Sequence, residues 1–344
     1  VYDGRSSVSL PKSSVNYHAD YVRPSWGRRL ERVRQIGAHI FYGAPLNGSN
    51  PGANEAASPA RPGNGLIWVR NDALDRAYAL VSGQAQAVMV HTNVGTGNTL
   101  SALTNASRER VPMLLMAGRS PITQSGRHGS RSFFIHWAQE MYDQSGMVRE
   151  LVKWDYELRF AEQMEDVVDR AVEITNAAPQ GPIYLTLPRE VLAQPAQPRA
   201  TALRLADRSQ LHPDPAAIRE LADWIDSAKA PLIITSNAGR FPDAVPLLDE
   251  LAERYAIPVV APVQRYMALR TDHPMHLGFS SAELLGEADL VIVIESDVPW
   301  IPAQGGPAPS ARVVHIGEDP GFAAIPIRQF PSDLSFTATS SVVL

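Results

Sequence analysis

The run Gln86–Arg119, QAVMVHTNVGTGNTLSALTNASRERVPMLLMAGR, constrains the fold more than any other stretch of this chain. An apolar strand (AVMVH) enters a short turn rich in Asn, Gly and Thr, and a helix of small residues leaves it. A second apolar strand, PMLLMAG, then follows. Strand, helix and strand joined so closely form a βαβ unit, whose right-handed crossover makes the two strands parallel. The turn, read as Thr92–Asn98, falls where a parallel sheet offers a ligand backbone N–H groups and a helix N-terminus.

The same alternation extends in both directions. Residues 1–65 give an irregular N-terminal segment that begins the first domain. Within it a helix is expected around Ala19–Gln35 and a strand at His39–Gly43. A Gly/Pro/Asn/Ser-rich loop follows up to Gly63. The first domain proper is expected over 66–190. It starts with a strand in LIWV and a helix over Ala73–Val81. Later come a helix over Glu162–Asn176 and the β-branched strand GPIYLTLP, Gly181–Pro188. Residues 191–213 read as a linker of Pro, Gln, Ala and Arg without periodicity. A second domain is expected over 214–338. Asp214 caps its first helix, with Pro215 at the first helical position and the helix over Ala216–Ala228. PLIITS, IPVVAP, GEADLVIVIES and ARVVHIG supply its strands. Short Val/Ile/Leu runs between helices indicate strands buried on both faces. The fold class is therefore α/β, with two doubly wound parallel-sheet domains in 344 residues.

Composition removes several functions. With no cysteine there is no disulfide, thiolate nucleophile or Cys-ligated metal. The net charge of −5 favours neither nucleic acid nor an anionic membrane as partner. No apolar stretch approaches the ~20 residues of a membrane span. The N-terminus lacks the apolar core of a signal peptide, so a cytoplasmic protein is expected. The basic run Arg28–Arg34 reads as a solvated helix face, or as a phosphate-binding patch.

The motifs leave alternatives open. Gly95 and Gly97 form a G-x-G after a strand, but the third glycine of a dinucleotide fingerprint is replaced by Leu100. The pair serves turn geometry or a ligand. His273 and His276 form H-x-x-H in DHPMH, yet Pro274 breaks the helix that would align them, and no metal site is expected. No G-x-S-x-G, H-E-x-x-H or Walker loop occurs. IHWAQEMYDQ, Ile135–Gln144, follows a basic Gly-rich loop and places Gln139 and Glu140 at a ligand, at an interface or on plain surface.

In order, AYALVSGQAQAVMVH, TNVGTGN, VPMLLMAGR, IHWAQEMYDQ, VKWDYELR, GPIYLTLPREV, AKAPLIITSNAG, ADLVIVIESDVPW and VVHIGEDP resemble the acetolactate-synthase-like family of thiamine diphosphate enzymes, over about Leu66–Asp333. The resemblance implies a pyrimidine-binding domain followed by a Rossmann-like central domain. It further implies C–C lyase or carboligase activity on a 2-oxo acid or 2-hydroxyacyl compound. In that family a glutamate bonds the pyrimidine N1′ and favours the imino tautomer, which activates the thiazolium carbon. Asn93, Gly95 and Asn98 would face the pyrimidine, and Gln139 and Lys153 the substrate. SNAGRF (Ser236–Phe241) resembles the stretch that holds the ADP part of FAD in some relatives, or is an ordinary βα turn.

Two departures qualify these implications. The family position of the glutamate holds Trp68. Asp72 becomes the candidate if about one helical turn is deleted, although it reaches about 1.5 Å less far. Asp72 also reads as an N-cap of the Ala73–Val81 helix. The G-D-G…N motif that binds Mg²⁺ and diphosphate is not found. The diphosphate-binding domain is then expected on missing sequence or on a partner chain, giving a homodimer, homotetramer or hetero-oligomer. The remaining alternative is a non-catalytic regulatory or FAD/ADP-binding relative.

Overall fold

The structure, a computed structural model, describes residues 40–42, 79–195 and 211–344. The expected helix at Ala19–Gln35, the basic run Arg28–Arg34, the LIWV strand, Asp72 and most of the 191–213 linker lie outside the described residues. The chain divides into two compact units between Ala206 and Asp207.

The first unit is built on a sheet of five parallel strands: β1 (Ile40–Tyr42), β2 (Gln86–Val90), β3 (Met113–Arg119), β4 (Asp155–Glu157) and β5 (Pro182–Pro188), in the order β1-β2-β3-β5-β4. Register runs straight across it, pairing Phe41 with Val88, Val88 with Leu115, Leu115 with Tyr184 and Tyr184 with Asp155. Residues 79–82 are helical. They are followed by β2 and then by α1 (Thr92–Arg108), α2 (Ile135–Ala138), α3 (Met164–Asn176) and α4 (Arg189–Leu192). Alternate side chains of the central strands go to opposite faces. Val88, Val90, Leu115 and Ala117 pack with Leu103 and Ala106 of α1. Leu114, Met116, Ile183 and Leu185 pack with Met164, Val168 and Ala171 of α3. A strand covered on both sides needs an unbroken apolar sequence, and MLLMA supplies one.

The second unit repeats the plan with β6 (Pro231–Thr235), β7 (Val259–Val260), β8 (Leu290–Ile294), β9 (Arg312–Gly317) and β10 (Leu334–Thr337), all parallel, in the order β10-β9-β8-β6-β7. Its helices are α5 (Pro215–Ser227), α6 (Ala244–Tyr255), α7 (Ala282–Leu285) and α8 (Ser340–Val343). The Asp214 carboxylate accepts the Ala216 N–H at 2.8 Å, so the cap and the Pro that follows it start α5. From β6 the chain first moves outward to β7 and then crosses back to β8. The order of winding thus reverses between β6 and β8, which opens a crevice at their carboxyl ends. No described helix is long and apolar enough to cross a membrane.

Candidate functional site

At the carboxyl end of β2 the structure corrects the expected turn. Strand β2 ends at Val90, His91 is extended, and Thr92 already begins α1 with a left-handed φ of 47°. One residue makes the reversal that a seven-residue turn was expected to make. A β-branched residue in this region is strained by about 1–3 kcal/mol. Local bonds hold it there: the Thr96 hydroxyl donates to the Thr92 carbonyl at 2.8 Å, and Thr92 Oγ1 lies 3.2 Å from His91 Nδ1.

Because the helix starts at once, it lies directly on the strand, and this decides the roles of the G-x-G residues. A Cβ on Gly95 would stand 2.9 Å from Val90 Cβ, so Gly95 is glycine for close helix–strand contact and turns inward. Its N–H closes the first helical bond to the His91 carbonyl. The side of Gly95 that a Cβ would occupy is thus taken by Val90. A Cβ on Gly97, by contrast, would meet nothing. Asn93 is half-buried, and its Oδ1 accepts the Val94 N–H; Asn98 is exposed. These two asparagines, Gly97 and the exposed apolar Val94 form the accessible part of the helix start. No acidic residue in the first turn opposes its positive dipole end.

Beneath this start runs a hydrogen-bonded chain whose direction is fixed. The Thr96 hydroxyl donates to a carbonyl, so it must accept from the Tyr184 hydroxyl, 2.7 Å away. Tyr184 in turn accepts from Gln144 Nε2 at 2.9 Å, and the same amide nitrogen donates to the Gly118 carbonyl at 3.0 Å. Burial raises the Tyr184 pKa against the opposing effect of its bonds to Thr96 and Gln144, keeping the phenol a donor. The end of β3, the body of β5 and the start of α1 are thereby tied together.

Arg119, at the end of β3, organises the rest of this edge. Its guanidinium donates to Glu157, to Glu140 at 3.1 Å and to the Met141 carbonyl at 3.0 Å, while Arg131 holds the other oxygen of Glu140. Burial works against the Arg119 charge, but Glu157 and Glu140 outweigh it and raise its pKa. Glu190 is buried and clamps the loop after β3, accepting the Ile122 and Thr123 N–H groups and the Thr123 hydroxyl. Ser120 Oγ and Arg119 Nε are buried without a partner among the described residues. The edge thus keeps polar capacity for a further group. Gln139 is buried between α2 and the Arg119-bound Glu140, which puts it on this loop.

Lys153 is elsewhere. Its N–H bonds the Pro182 carbonyl at the start of β5, and its ammonium donates to the carbonyls of Ile174 and Ala177 at 2.7 and 2.6 Å. It caps the carboxyl end of α3 at the opposite edge of the sheet, where a cation suits the helix dipole. The structure therefore separates Lys153 from Asn93, Asn98 and Gln139, which share the carboxyl edge.

In the second unit, Asp249 and Glu253, one turn apart on α6, bring carboxylates close to His273. This trio, which H-x-x-H did not suggest, has ligand-like spacing. However, His273 Nδ1 accepts the Met275 N–H at 3.1 Å, so the neutral ring carries its proton on Nε2, the atom aimed at Asp249. A metal would need that lone pair, and the tautomer withholds it.

Two segments of the chain match known families: residues 74–147 match the thiamine pyrophosphate enzyme N-terminal TPP-binding domain, and residues 218–329 the thiamine pyrophosphate enzyme central domain. Benzoylformate decarboxylase of Pseudomonas aeruginosa is 27% identical over 307 residues, which cover 86% of this chain and 56% of that protein. The mitochondrial acetolactate synthase catalytic subunit of Saccharomyces cerevisiae is 26% identical over 234 residues, covering 63% and 33%. The chain thus spans about half or less of these two relatives. Among solved structures, benzoylformate decarboxylase of Polynucleobacter necessarius superposes with a TM-score of 0.71 at 21% identity, over 91% of this chain and 58% of that one. This last likeness concerns the fold.

Proposed function

The chain belongs to the thiamine pyrophosphate enzymes, through their N-terminal TPP-binding and central domains, and from that premise we propose that its first unit binds the pyrimidine end of thiamine diphosphate at the start of α1. One observation carries this reading. The matched segment 74–147 contains β2, α1, β3 and the following loop, whose ends meet at one carboxyl edge with an accessible helix start. Asn93 and Asn98 line that start. Gln139, beside the Arg119-bound Glu140 on the loop after β3, is assigned to the substrate in this reading. Asp72 is the candidate carboxylate for N1′.

When bound, thiamine diphosphate supplies an electron sink beside a carbonyl carbon, which permits C–C cleavage or ligation. This chain's part is to orient the ring, exclude water and share a proton at N1′. The substrate in this reading is a 2-oxo acid or 2-hydroxyacyl compound, and the protein is cytoplasmic. Diphosphate and Mg²⁺ are held by groups outside this chain, from further sequence or from a second chain in a homo- or hetero-oligomer. Phe134, 95% exposed on the loop after β3, with half-exposed Phe133 and Trp137 beside it, suits a face that another segment or subunit covers. FAD has no role in this reading.

An assay of the protein at its full encoded length tests the proposal. Carbon dioxide release from benzoylformate or pyruvate is expected to require both thiamine diphosphate and Mg²⁺. Saturable cofactor binding with no turnover of any 2-oxo acid or 2-hydroxyacyl compound, in C–C cleavage or in ligation, would contradict it.

A further inference from the structure

We infer that the loop after β6, Ser236–Phe241, is closed on itself and that the second unit takes no dinucleotide, whatever its resemblance to an ADP-holding stretch. The inference concerns a different unit from the half-site above and does not rest on it.

A pyrophosphate at the switch point between β6 and β8 needs N–H groups following β6, and a helix N-terminus aimed at it. Here four of those groups, from Asn237, Ala238, Arg240 and Phe241, are spent within the unit. The Asn237 N–H goes to the Glu295 carbonyl at 3.1 Å, and that of Ala238 to Thr235 Oγ1 at 3.3 Å. Arg240 and Phe241 close a short helical turn onto Asn237 and Ala238, at 2.9 and 3.1 Å. Pro242 has no N–H to give. The helix itself, α6, begins only at Ala244, and the Ala244 and Val245 N–H groups turn back to Phe241 and Pro242.

Glycine in this loop has another reason than a ligand. A Cβ on Gly239 would overlap the Met267 carbonyl oxygen, so the loop after β7 presses its backbone where a phosphate would have to approach. The same loop donates the Arg265 N–H to the Ser236 carbonyl at 3.1 Å. Across the crevice itself, Ser236 Oγ and Ser296 Oγ are hydrogen-bonded at 2.9 Å.

The nearby cations are engaged as well. Arg265 pairs with Asp297 at 2.9 Å. Arg328 donates to the carbonyls of Asp297 and Ser296 at 2.7 and 3.2 Å, with the rings of Phe322 and Phe330 within about 5 Å. Asn237 Oδ1 and Glu318 Oε2 are buried acceptors without a partner among the described residues. They suit a ribose hydroxyl, but a carboxylate oxygen beside an anion repels it. The pyrophosphate would find acceptors where it needs donors. The loops after β6, β7, β8 and β9 thus form a seam, and the unit serves as a scaffold.

The test uses the protein at full encoded length, shown to be folded by a cooperative melt. Its visible spectrum after purification is expected to lack flavin absorption. Titration with FAD, and separately with ADP, is expected to give no saturable heat and no shift of the melting midpoint. A ligand at about 100 times its Kd would move that midpoint by degrees. Stoichiometric flavin in the purified protein, or one-to-one binding of FAD or ADP in the titration, would overturn the inference.

Discussion

Asp72→Asn is expected to cut turnover of the full-length protein by about 10²–10⁴-fold, the usual worth of a positioned acid–base group, while leaving its melting midpoint unchanged. The two roles open to Asp72 make this substitution decisive. As an N-cap, asparagine accepts the helix N–H about as well as aspartate, so stability is preserved. As the partner of N1′, the amide cannot share a proton, so activity is lost. Asp72→Ala removes both functions and is expected to lose about 1 kcal/mol of stability together with the activity. Steady-state rates and thermal melts of the two variants separate the roles. Near wild-type turnover in Asp72→Asn would assign Asp72 to the helix cap alone.

Acidification is expected to destabilise the second unit through His315. This residue is buried in β9, and its Nε2 lies 3.1 Å from the Pro331 carbonyl, to which the neutral ring donates. Burial lowers its pKa from 6.5 to about 4; the Pro331 bond opposes that shift, and the nearby Arg328 charge adds to it. Between these two pH values the unfolded chain binds a proton that the folded chain refuses. Stability from this group is therefore complete above pH 6.5, declines as pH falls, and levels off below about 4. The full loss is about 3 kcal/mol. Urea unfolding of wild type and His315→Gln at pH 7.5 and 4.5 measures it, because glutamine keeps a donor for Pro331 but does not titrate. The wild type is expected to lose more stability than the variant on acidification. Equal losses would show that His315 does not carry the effect.

Much of the fold was legible because strands buried on both faces must be continuously apolar. MLLMA, PIYLTL, LVIVI and VVHIG announce β3, β5, β8 and β9 in this way. Asp214–Pro215 announces α5 through cap chemistry that is local in sequence. The edge strands β4 and β10, only three and four residues long and carrying Asp, Glu, Ser or Thr, have no such pattern and were not foreseen.

The site was legible in place but not in detail. The residues announce the βα junction, but a threonine at φ 47° leaves no trace in residue type, so the Asn/Gly/Thr run suggests a longer turn than the one-residue reversal present. A G-x-G does not reveal whether a missing Cβ makes room for a ligand or for Val90; here Gly95 serves Val90. Lys153 sits in VKWDYELR, which carries part of the resemblance, yet nothing in that stretch tells which end of the sheet its ammonium reaches. The Gln144–Tyr184–Thr96 chain and the Arg119–Glu157 pair join residues far apart in sequence, and only the parallel register brings them together.

In the proposed half-site the start of α1 holds the pyrimidine end of thiamine diphosphate. Amide hydrogen exchange of the full-length protein, with and without thiamine diphosphate and Mg²⁺, tests it most directly. Slowed exchange is expected across 86–98 and in the loop 120–142, with no change at 236–241. Cofactor binding that protects other segments and leaves 86–98 unchanged would contradict it.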